Sequence, residues 1–300
     1  MKNTNMSNKI DFIGIGAPKC GSTWVGKCLE EHPEINFAKV KEVNFFNENF
    51  SNLKVGRYFV NEDNYNEKGW EWYFKQFPTD KLGKIRGEFS VTYLSSKQAP
   101  KRIKKHFPDV KILVTLRNPV DMIYSNYWFC KPAIHGTRTG TFKSYIKNHD
   151  VLKIALYYQH LKIFYDLFSS KNIHIILLDD LKKKPHEVVK ELYRFLDVSE
   201  DFNPSILTQK VNSSFAIRSE ILRTLASWIF IILYKILPRS LYNYLRGNPT
   251  LFAVYLKLNT KKAKYPPMQA KEAEYLKNYY KEDIKKLEKL IQKDLSGWYK

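Results

Sequence analysis

The sequence has little cysteine and contains no long uninterrupted hydrophobic run. Three cysteines (Cys20, Cys28 and Cys130) are too few and too scattered for a disulfide framework, and no C-x-x-C or H-x-x-x-H pair indicates a zinc site. Such low cysteine content is typical of a reducing compartment. No stretch rich in proline, glycine or serine divides the chain, and no internal repeat is evident. We therefore expect a single domain over residues 1–300, with a flexible N-terminus over residues 1–9.

A recognisable targeting or membrane-spanning segment is also lacking. The N-terminus, MKNTNMSNKI, is short and polar, without the apolar core of a signal peptide. The most apolar stretch, residues 225–237, is shorter than the ~18–20 residues of a spanning helix and is interrupted by Lys235. Two interpretations stay open for it: a buried core helix, or a helix in a membrane interface with arginines around it. We expect a cytoplasmic protein, which under the second interpretation also contacts the inner, anionic face of the membrane.

Negative charge is comparatively scarce. Lys and Arg number 50 against 30 Asp and Glu, which gives a net charge of +20 and favours anionic partners such as glycans, nucleic acid or an acidic membrane. The lysines are spread along the whole chain, and no basic helix or known nucleic-acid motif collects them. We therefore expect no nucleic-acid partner, and the sequence leaves the oligomeric state open.

Short apolar runs alternate with helical patterns, which predicts a parallel sheet flanked by helices. The clearest strand is Val110–Leu116, nearly continuous in branched residues as a buried parallel strand should be. The predicted fold class is α/β, a P-loop-like parallel sheet flanked by helices, with a helical C-terminal third from about residue 215. The other predicted strands cover residues 11–15, 84–89 and 172–178, and the predicted helices cover 22–31, 70–77, 96–106, 186–198 and 271–292.

Residues 12–24, FIGIGAPKCGSTW, form a glycine-rich turn between the first strand and the first helix. In the phosphate loop of nucleoside triphosphatases, a lysine directly follows the second glycine. Here Gly21 is followed by Ser22 and Thr23, and Lys19 lies inside the loop. Unpaired N–H groups at the helix N-terminus, the helix dipole and the charge of Lys19 all attract an anion. The sequence therefore predicts an anion site in this loop.

A second cation ends the clearest strand. Arg117 follows Leu116, and Asn118 and Pro119 are typical residues for the start of the next helix. A triphosphate enzyme normally needs a magnesium ion held by a loop hydroxyl and by a carboxylate at a strand end. Because arginine cannot ligate a metal, we expect no metal here, and the two cations favour a ligand with two separated anionic ends.

Several motifs resemble those of sulfotransferases that use 3′-phosphoadenosine 5′-phosphosulfate (PAPS). IGAPKCGSTW is similar to their 5′-phosphosulfate loop, and TLRNPVDMIYSNYWF to their 3′-phosphate motif, in which a serine follows a strand-ending arginine by eight residues. KEVNFF resembles the K-E-P-x-F-F segment of glycan sulfotransferases related to heparan sulfate enzymes, and the C-terminal region is similar to that of bacterial members. The resemblance covers nearly the whole chain.

The resemblance implies transfer of a sulfuryl group from PAPS to a hydroxyl or amine of an acceptor, a surface glycan or glycolipid by family analogy. It also implies that Lys19 stabilises the charge developing on the leaving oxygen. The alternative for Arg117 is a structural ion pair with Asp121. The donor-binding residues so assigned are Lys19, Cys20, Gly21, Ser22, Thr23 and Trp24 in the loop, and Arg117, Ser125 and Arg218 for the 3′-phosphate.

Glu42 occupies the position of the base in the glycan sulfotransferases that the chain resembles, and the same resemblance implies that Lys41 and Glu88 face the substrate. The alternative for Glu42 is a salt bridge to Lys41 or Lys39. The histidine base of the cytosolic small-molecule branch has no counterpart, because neither His106 nor His135 lies in a matching motif.

Two positions depart from the heparan-type pattern: Asn44 stands where those enzymes often have histidine, and Phe89 stands where several of them have lysine. The C-terminal glycine-arginine loop of those enzymes and the R-K-G-x-x-G-D-W-K segment of the cytosolic branch are also absent, and Arg218 in NSSFAIRS is the candidate substitute near the 3′-phosphate. Two other functions stay open at this stage. They are a small P-loop kinase that uses ATP, and a non-catalytic protein that binds nucleotides or polyanions.

Overall fold

A computed structural model of the chain describes residues 9–48, 63–79, 85–131, 140–208, 215–238, 241, 254, 257–262 and 265–299. The N-terminal segment predicted to be flexible lies outside these residues except for its last residue. His135 and residues 212–214, the first three of the segment NSSFAIRS, also lie outside them.

A five-stranded parallel sheet forms the centre. The strands are β1 Phe12–Gly16, β2 Ile35–Phe37, β3 Ile85–Phe89, β4 Lys111–Leu116 and β5 Ile173–Leu177. Their order in the sheet is β2-β3-β1-β4-β5. All residues of β1 and all but the first of β4 are buried, because helices cover both faces of the sheet. The four predicted strands, which correspond to β1, β3, β4 and β5, are confirmed to within one or two residues, whereas β2 was not predicted.

The helices form a layer on each side of the sheet. On one face of the sheet, helices from the middle and the end of the chain pack together into one core. On the other face, the first helix and the two helices after β5 form a second core. The helices are α1 Ser22–Glu31, α2 Asn64–Glu67, α3 Gly69–Lys75, α4 Ala99–His106, α5 Pro119–Cys130, α6 Phe142–Tyr145, α7 His149–Lys153, α8 Tyr157–Leu167, α9 Leu178–Lys183, α10 Pro185–Leu196, α11 Glu220–Ile236 and α12 Ala270–Ile291.

The start of α5 follows from its sequence. The side-chain carbonyl of Asn118 accepts a hydrogen bond from the N–H of Val120 at 3.0 Å, and Pro119 occupies the first turn, where its missing N–H costs nothing. The predicted cap is therefore confirmed. It matters for the site because it fixes the direction in which the chain leaves Arg117.

The C-terminal third is not entirely helical. Strands β6 (Phe215–Ile217) and β7 (Thr260–Lys262) form an antiparallel pair, so the expectation of helices alone from residue 215 is wrong in this respect. Each strand has three residues, too few for an alternating pattern, and the partners lie more than 40 positions apart in the sequence. The backbone N–H of Arg218 extends the pairing by donating to the carbonyl of Asn259 at 2.7 Å.

The helix α11 contains the apolar stretch 225–237, and the structure contradicts the core-helix interpretation for one of its faces. Ile221, Trp228 and Ile236 are exposed by 74%, 56% and 68% of their surface. Leu225, Ile229 and Ile232 are more than half exposed as well. Among the helices that the structure describes, none is long and apolar enough to cross a bilayer.

Candidate active site

The order of the strands brings the predicted anion-binding residues together. From β1 the chain first builds β2 and β3 on one side of the sheet and then β4 and β5 on the other, so the direction of winding reverses beside β1. Ligands of such sheets bind at the carboxyl ends of the strands next to the reversal. The loop after β1 and Arg117 after β4 meet at this edge, where the N–H of Ala17 donates to the carbonyl of Thr115 at 2.7 Å.

The loop after β1 leads directly into α1. Gly21 precedes the helix with φ 93°, a left-handed conformation that favours glycine, and a Cβ there would lie 3.0 Å from Leu178. No side chain among the described residues caps this N-terminus. The first N–H groups of α1, which include those of Ser22 and Thr23, therefore fit a phosphate or sulfate group as the sequence predicts.

Lys19 lies inside this loop, half-buried and with φ 61°. Its ammonium nitrogen lies 4.3 Å from the centre of the Phe129 ring, a cation–π contact. Burial lowers the pKa of Lys19, and the positive charges of Arg117 and Lys41 lower it further, although Cys130 and Cys20 act in the opposite direction. A bound anion would relieve the mutual repulsion of these cations. Sequence reasoning did not predict this contact of Phe129 with Lys19.

Arg117 has an unsatisfied hydrogen-bond donor. Its Nε is buried and has no hydrogen-bond partner among the described residues, whereas its Nη2 lies 3.4 Å from a carboxylate oxygen of Asp121. The ion pair that was the structural alternative is therefore present, but it is long and Asp121 is half-exposed. A planar guanidinium with a free buried edge suits the paired oxygens of a phosphate.

Ser125 and Arg218 lie on neighbouring elements. Ser125 is buried on α5, two turns beyond Arg117, and β6 packs against α5. Arg218 directly follows β6, so it lies near the helix that carries Ser125, and its side chain is exposed. This arrangement is compatible with a shared role at one phosphate group, and the assignment of both residues stays a prediction.

Cys20 cannot contribute its side chain to anion binding. The thiol is fully buried, donates to the carbonyl of Pro18 at 3.3 Å and lies 3.6 Å from the hydroxyl of Tyr157. Burial raises the pKa of Cys20 to about 12, so the thiol stays neutral. The side chain of Trp24 is buried in the core as well. Of these two predicted donor-binding residues, only Cys20 has a backbone N–H that is open to the ligand, because the N–H of Trp24 donates to the carbonyl of Gly21 at 2.9 Å.

Glu42 lies beside the same edge of the sheet, next to β3. Its backbone N–H donates to the carbonyl of Phe89 at 3.1 Å, and it has φ 67°. Its carboxylate accepts a hydrogen bond from the N–H of Val91 at 2.8 Å and an ion pair from Lys41 at 2.6 Å. The salt bridge that was the alternative thus exists with Lys41. It leaves the side chain of Glu42 one-quarter exposed.

Glu88 does not face the substrate, which corrects the prediction made from the resemblance. Its side chain is fully buried at the end of β3 and accepts hydrogen bonds from the hydroxyls of Ser90, Tyr93 and Tyr73. Burial raises the pKa of Glu88 to about 7, and the negative charge of Glu42 adds to that shift. Lys41, in contrast, is partly exposed, and its place beside the substrate stays a prediction.

Within the residues that the structure describes, no three His, Cys, Asp or Glu side chains come together as a metal site. The groups at the edge of the sheet are cations, backbone N–H groups and the carboxylate of Glu42. Taken together, a phosphate loop after the first strand and an arginine after its neighbour define a P-loop-like nucleotide-binding enzyme.

The particular family follows from comparison with known proteins. The family model of the sulfotransferase domain matches residues 9–219. The chain therefore belongs to the sulfotransferase family, whose members take their sulfuryl group from PAPS, and the resemblance on which the sequence interpretation depended is confirmed. A small kinase is not supported.

The relatives include enzymes of the heparan sulfate branch. Mouse bifunctional heparan sulfate N-deacetylase/N-sulfotransferase 4 is 27% identical over 307 residues, which covers 94% of this chain and 30% of the relative. Mouse heparan sulfate glucosamine 3-O-sulfotransferase 5 is 25% identical over 201 residues, which covers 62% of this chain and 53% of the relative. The chain thus spans between about a third and a half of the length of these two proteins.

A solved structure supports the fold over almost the entire chain. The crystal structure of a sulfotransferase from Alicyclobacillus acidocaldarius superposes with a TM-score of 0.66 at 22% identity. The superposition covers 97% of this chain and 99% of that protein. The α/β fold class predicted from the sequence is therefore confirmed.

Proposed function

We propose that this sulfotransferase transfers the sulfuryl group of PAPS to a hydroxyl or amine of a glycan or glycolipid, with Glu42 as the base. The observation that carries the proposal is the arrangement of three adjacent strands, β3, β1 and β4. At their carboxyl ends lie, in the same order, the segment of Glu42, the loop of Lys19 and Arg117. An in-line transfer needs a base on one side of the reacting group and cations on the other.

The donor side of the site fits PAPS. The uncapped N-terminus of α1 and Lys19 suit the 5′-phosphosulfate, and the unsatisfied Nε of Arg117 with Ser125 suits the 3′-phosphate. PAPS supplies the sulfuryl group and a phosphate leaving group. Lys19 balances the negative charge that develops on the oxygen of that leaving group, a task for which one lysine and backbone donors suffice.

The acceptor side depends on Glu42. As the acceptor oxygen or nitrogen forms its bond to sulfur and the bridging S–O bond breaks, Glu42 accepts the proton that the acceptor loses. The N–H of Val91 and the ammonium of Lys41 hold one carboxylate oxygen each, which fixes the orientation of the base. Each oxygen keeps a lone pair for the incoming proton. Lys41 therefore lies beside the substrate and acts by orienting the carboxylate of Glu42.

A glycan acceptor is supported by the names of the relatives, which are heparan sulfate enzymes, and by the net charge of +20. The experiment is incubation with ³⁵S-labelled PAPS and either N-desulfated heparin, which offers amines and hydroxyls, or the same polysaccharide after N-acetylation, in which the amines are blocked. Label in both polysaccharides would indicate O-sulfation, and label in N-desulfated heparin alone would indicate transfer to an amine. Label in neither would contradict an acceptor of this class.

Arg117→Ala tests the assignment of the 3′-phosphate. The variant should bind adenosine 3′,5′-bisphosphate about ten- to a hundredfold more weakly, because a charged hydrogen bond contributes ~1.5–3 kcal/mol. Its affinity for adenosine 5′-phosphate should change little. Titration calorimetry of both nucleotides measures the difference, and ATP with magnesium should bind wild type more weakly than the bisphosphate does.

Asp121→Ala is the matched control for Arg117→Ala, because it removes the ion pair and keeps the guanidinium. If Arg117 serves only that pair, both variants should lose the same small amount of affinity for the two nucleotides. Equal losses for the bisphosphate and the monophosphate in Arg117→Ala would contradict the 3′-phosphate assignment.

We infer further that the enzyme works in the cytoplasm and contacts the anionic face of the membrane through α11. The low cysteine content supports a reducing compartment. The exposed apolar residues of α11 recur at spacings of three and four, which places them on one stripe roughly 100° wide. Arg218 and Lys235 are exposed at or near the two ends of this stripe, so basic groups flank it as they do in helices that lie in a membrane interface.

The double substitution Ile229→Ser and Ile232→Ser tests this contact. Wild type should sediment with vesicles of anionic phospholipid at low salt, and the variant should stay in the supernatant, because about half of each isoleucine side chain is available for burial. Circular dichroism should show that the variant is folded.

Tyr275→Ser is the control for this substitution, since Tyr275 is exposed on α12 and does not belong to the stripe. It should sediment like wild type. An equal loss of binding in both variants would contradict the role of α11. Wild type that does not sediment with the vesicles would contradict it as well. Concentration-dependent dimerisation that disappears in the double variant would show that a second copy covers the stripe instead.

A further inference from the structure

Glu88 forms a buried polar cluster that none of the roles above uses. Its carboxylate accepts hydrogen bonds from the hydroxyl groups of Ser90 at 2.7 Å, Tyr93 at 2.9 Å and Tyr73 at 3.1 Å. All four side chains are fully buried. A carboxylate is costly to bury, and such a group is retained in a core only where donors surround it. The cluster therefore calls for an explanation beyond packing.

Two of the three hydroxyls also accept hydrogen bonds from the backbone of residues 42–46, the segment that carries Glu42. The N–H of Asn44 donates to the hydroxyl oxygen of Ser90 at 3.0 Å, and the N–H of Phe45 donates to that of Tyr93 at 2.8 Å. A hydroxyl has one proton, and here it points to Glu88, so its lone pairs are left for the two N–H groups. Glu88 thus sets the direction of both hydroxyls.

The segment needs such support because its backbone is strained. Glu42 has φ 67° and Asn44 has φ 53°, both in the left-handed region, which costs free energy for a glutamate and less for an asparagine. The carboxylate of Glu42 is aligned in turn by the N–H of Val91, the residue directly after Ser90. A shift of the segment relative to the end of β3 would therefore displace the base.

We infer that Glu88 is a positioning residue for sulfuryl transfer, which acts through Ser90 and Tyr93 to hold the strained segment that presents Glu42. The inference rests on the proposed function, in which Glu42 is the base. Glu88 itself is buried and contacts neither substrate. Tyr73 supplies the third donor to the carboxylate, but among the described residues no hydrogen bond joins its hydroxyl to the segment 42–46.

This difference between the two tyrosines gives a matched pair of variants. Tyr93→Phe and Tyr73→Phe each remove one buried hydroxyl from the same carboxylate, but only Tyr93→Phe also removes a contact to the segment. With labelled PAPS and N-desulfated heparin, Tyr93→Phe should lower kcat about ten- to a hundredfold, the effect of a small misplacement of a catalytic group. Tyr73→Phe should stay within about threefold of wild type, and the affinity of both for adenosine 3′,5′-bisphosphate should be unchanged. Glu88→Gln should lower kcat to a similar extent as Tyr93→Phe.

A double variant separates positioning from general loss of structure. In the Glu42→Gln background no base is left to position, so adding Tyr93→Phe should have no further effect on kcat. Equal losses in Tyr93→Phe and Tyr73→Phe would overturn the inference, and so would a further tenfold loss in the double variant. A fully active Glu42→Gln would overturn the base assignment itself, which is a different result from these two.

Hydrogen exchange gives a readout that needs no acceptor. The amide of Phe45 should exchange about ten times faster in Tyr93→Phe than in Tyr73→Phe, because its acceptor, the hydroxyl of Tyr93, is gone. Unchanged exchange at this amide would contradict the proposed support of the segment, whichever acceptor substrate the enzyme uses.

Discussion

Glu42→Gln should transfer sulfate at least a hundredfold more slowly than wild type while binding adenosine 3′,5′-bisphosphate normally. Glutamine keeps the size of the side chain but cannot accept the acceptor's proton, and base catalysis contributes ~10²–10⁴ in rate. The amide oxygen can still accept from Val91 or Lys41, so the segment should keep its place. Single-turnover transfer from labelled PAPS to N-desulfated heparin measures the rate, and calorimetry measures the affinity.

Glu48→Gln is the control, because it makes the same chemical change six residues further along the chain, just beyond the segment 42–46. The carboxylate of Glu48 accepts hydrogen bonds from the backbone N–H groups of Lys97 and Gln98 and pairs with the hydroxyl of Ser96, so its role is to connect the segment to the start of α4. Glu48→Gln should therefore keep most of its rate. Full activity of Glu42→Gln would show that another group is the base.

The parts of the site that the sequence predicts are those set by local chain geometry. Lys19 and the N-terminus of α1 belong to one turn, and Arg117 follows a strand whose branched residues identify it. That the two motifs meet is a consequence of strand order, because β1 and β4 are neighbours in the sheet. A sequence pattern alone cannot give that order, although a parallel sheet with one reversal of winding makes the meeting natural.

The wrong or missing predictions share a different cause. Glu88 follows the pattern of a substrate-facing residue, but the hydroxyls that enclose it come from Tyr73 and Tyr93, on α3 and beyond β3, and only folding brings them together. The contact of Phe129 with Lys19 likewise joins residues 110 positions apart. The exposure of α11 shows the same limit, since an apolar helix in a sequence can face either a core or a surface.

Lys19→Ala should reduce the rate of transfer by ~10²–10³ while weakening the binding of adenosine 3′,5′-bisphosphate much less. The reason is that, in the proposed site, the N–H groups of α1 at the 5′-phosphate and Arg117 at the 3′-phosphate keep holding the ligand. Charge on the leaving oxygen grows only as the bond to sulfur breaks, so the loss of Lys19 should affect the transition state most. Single-turnover rates and calorimetric affinities for the same preparation measure the two effects separately.

The pH dependence gives a second measure of the same role. Burial, together with Arg117 and Lys41, lowers the pKa of Lys19, so the protonated form that supports catalysis is lost as pH rises, and earlier than for an ordinary lysine. The value of kcat/KM, which reports the free enzyme, should therefore fall on the alkaline side in wild type, and Lys19→Arg should move that fall to higher pH because arginine stays charged. Lys27→Ala, an exposed lysine on α1, should leave rate and pH profile unchanged. If Lys19→Ala keeps its turnover and shows only a raised KM, then Lys19 holds the ligand without stabilising the leaving oxygen.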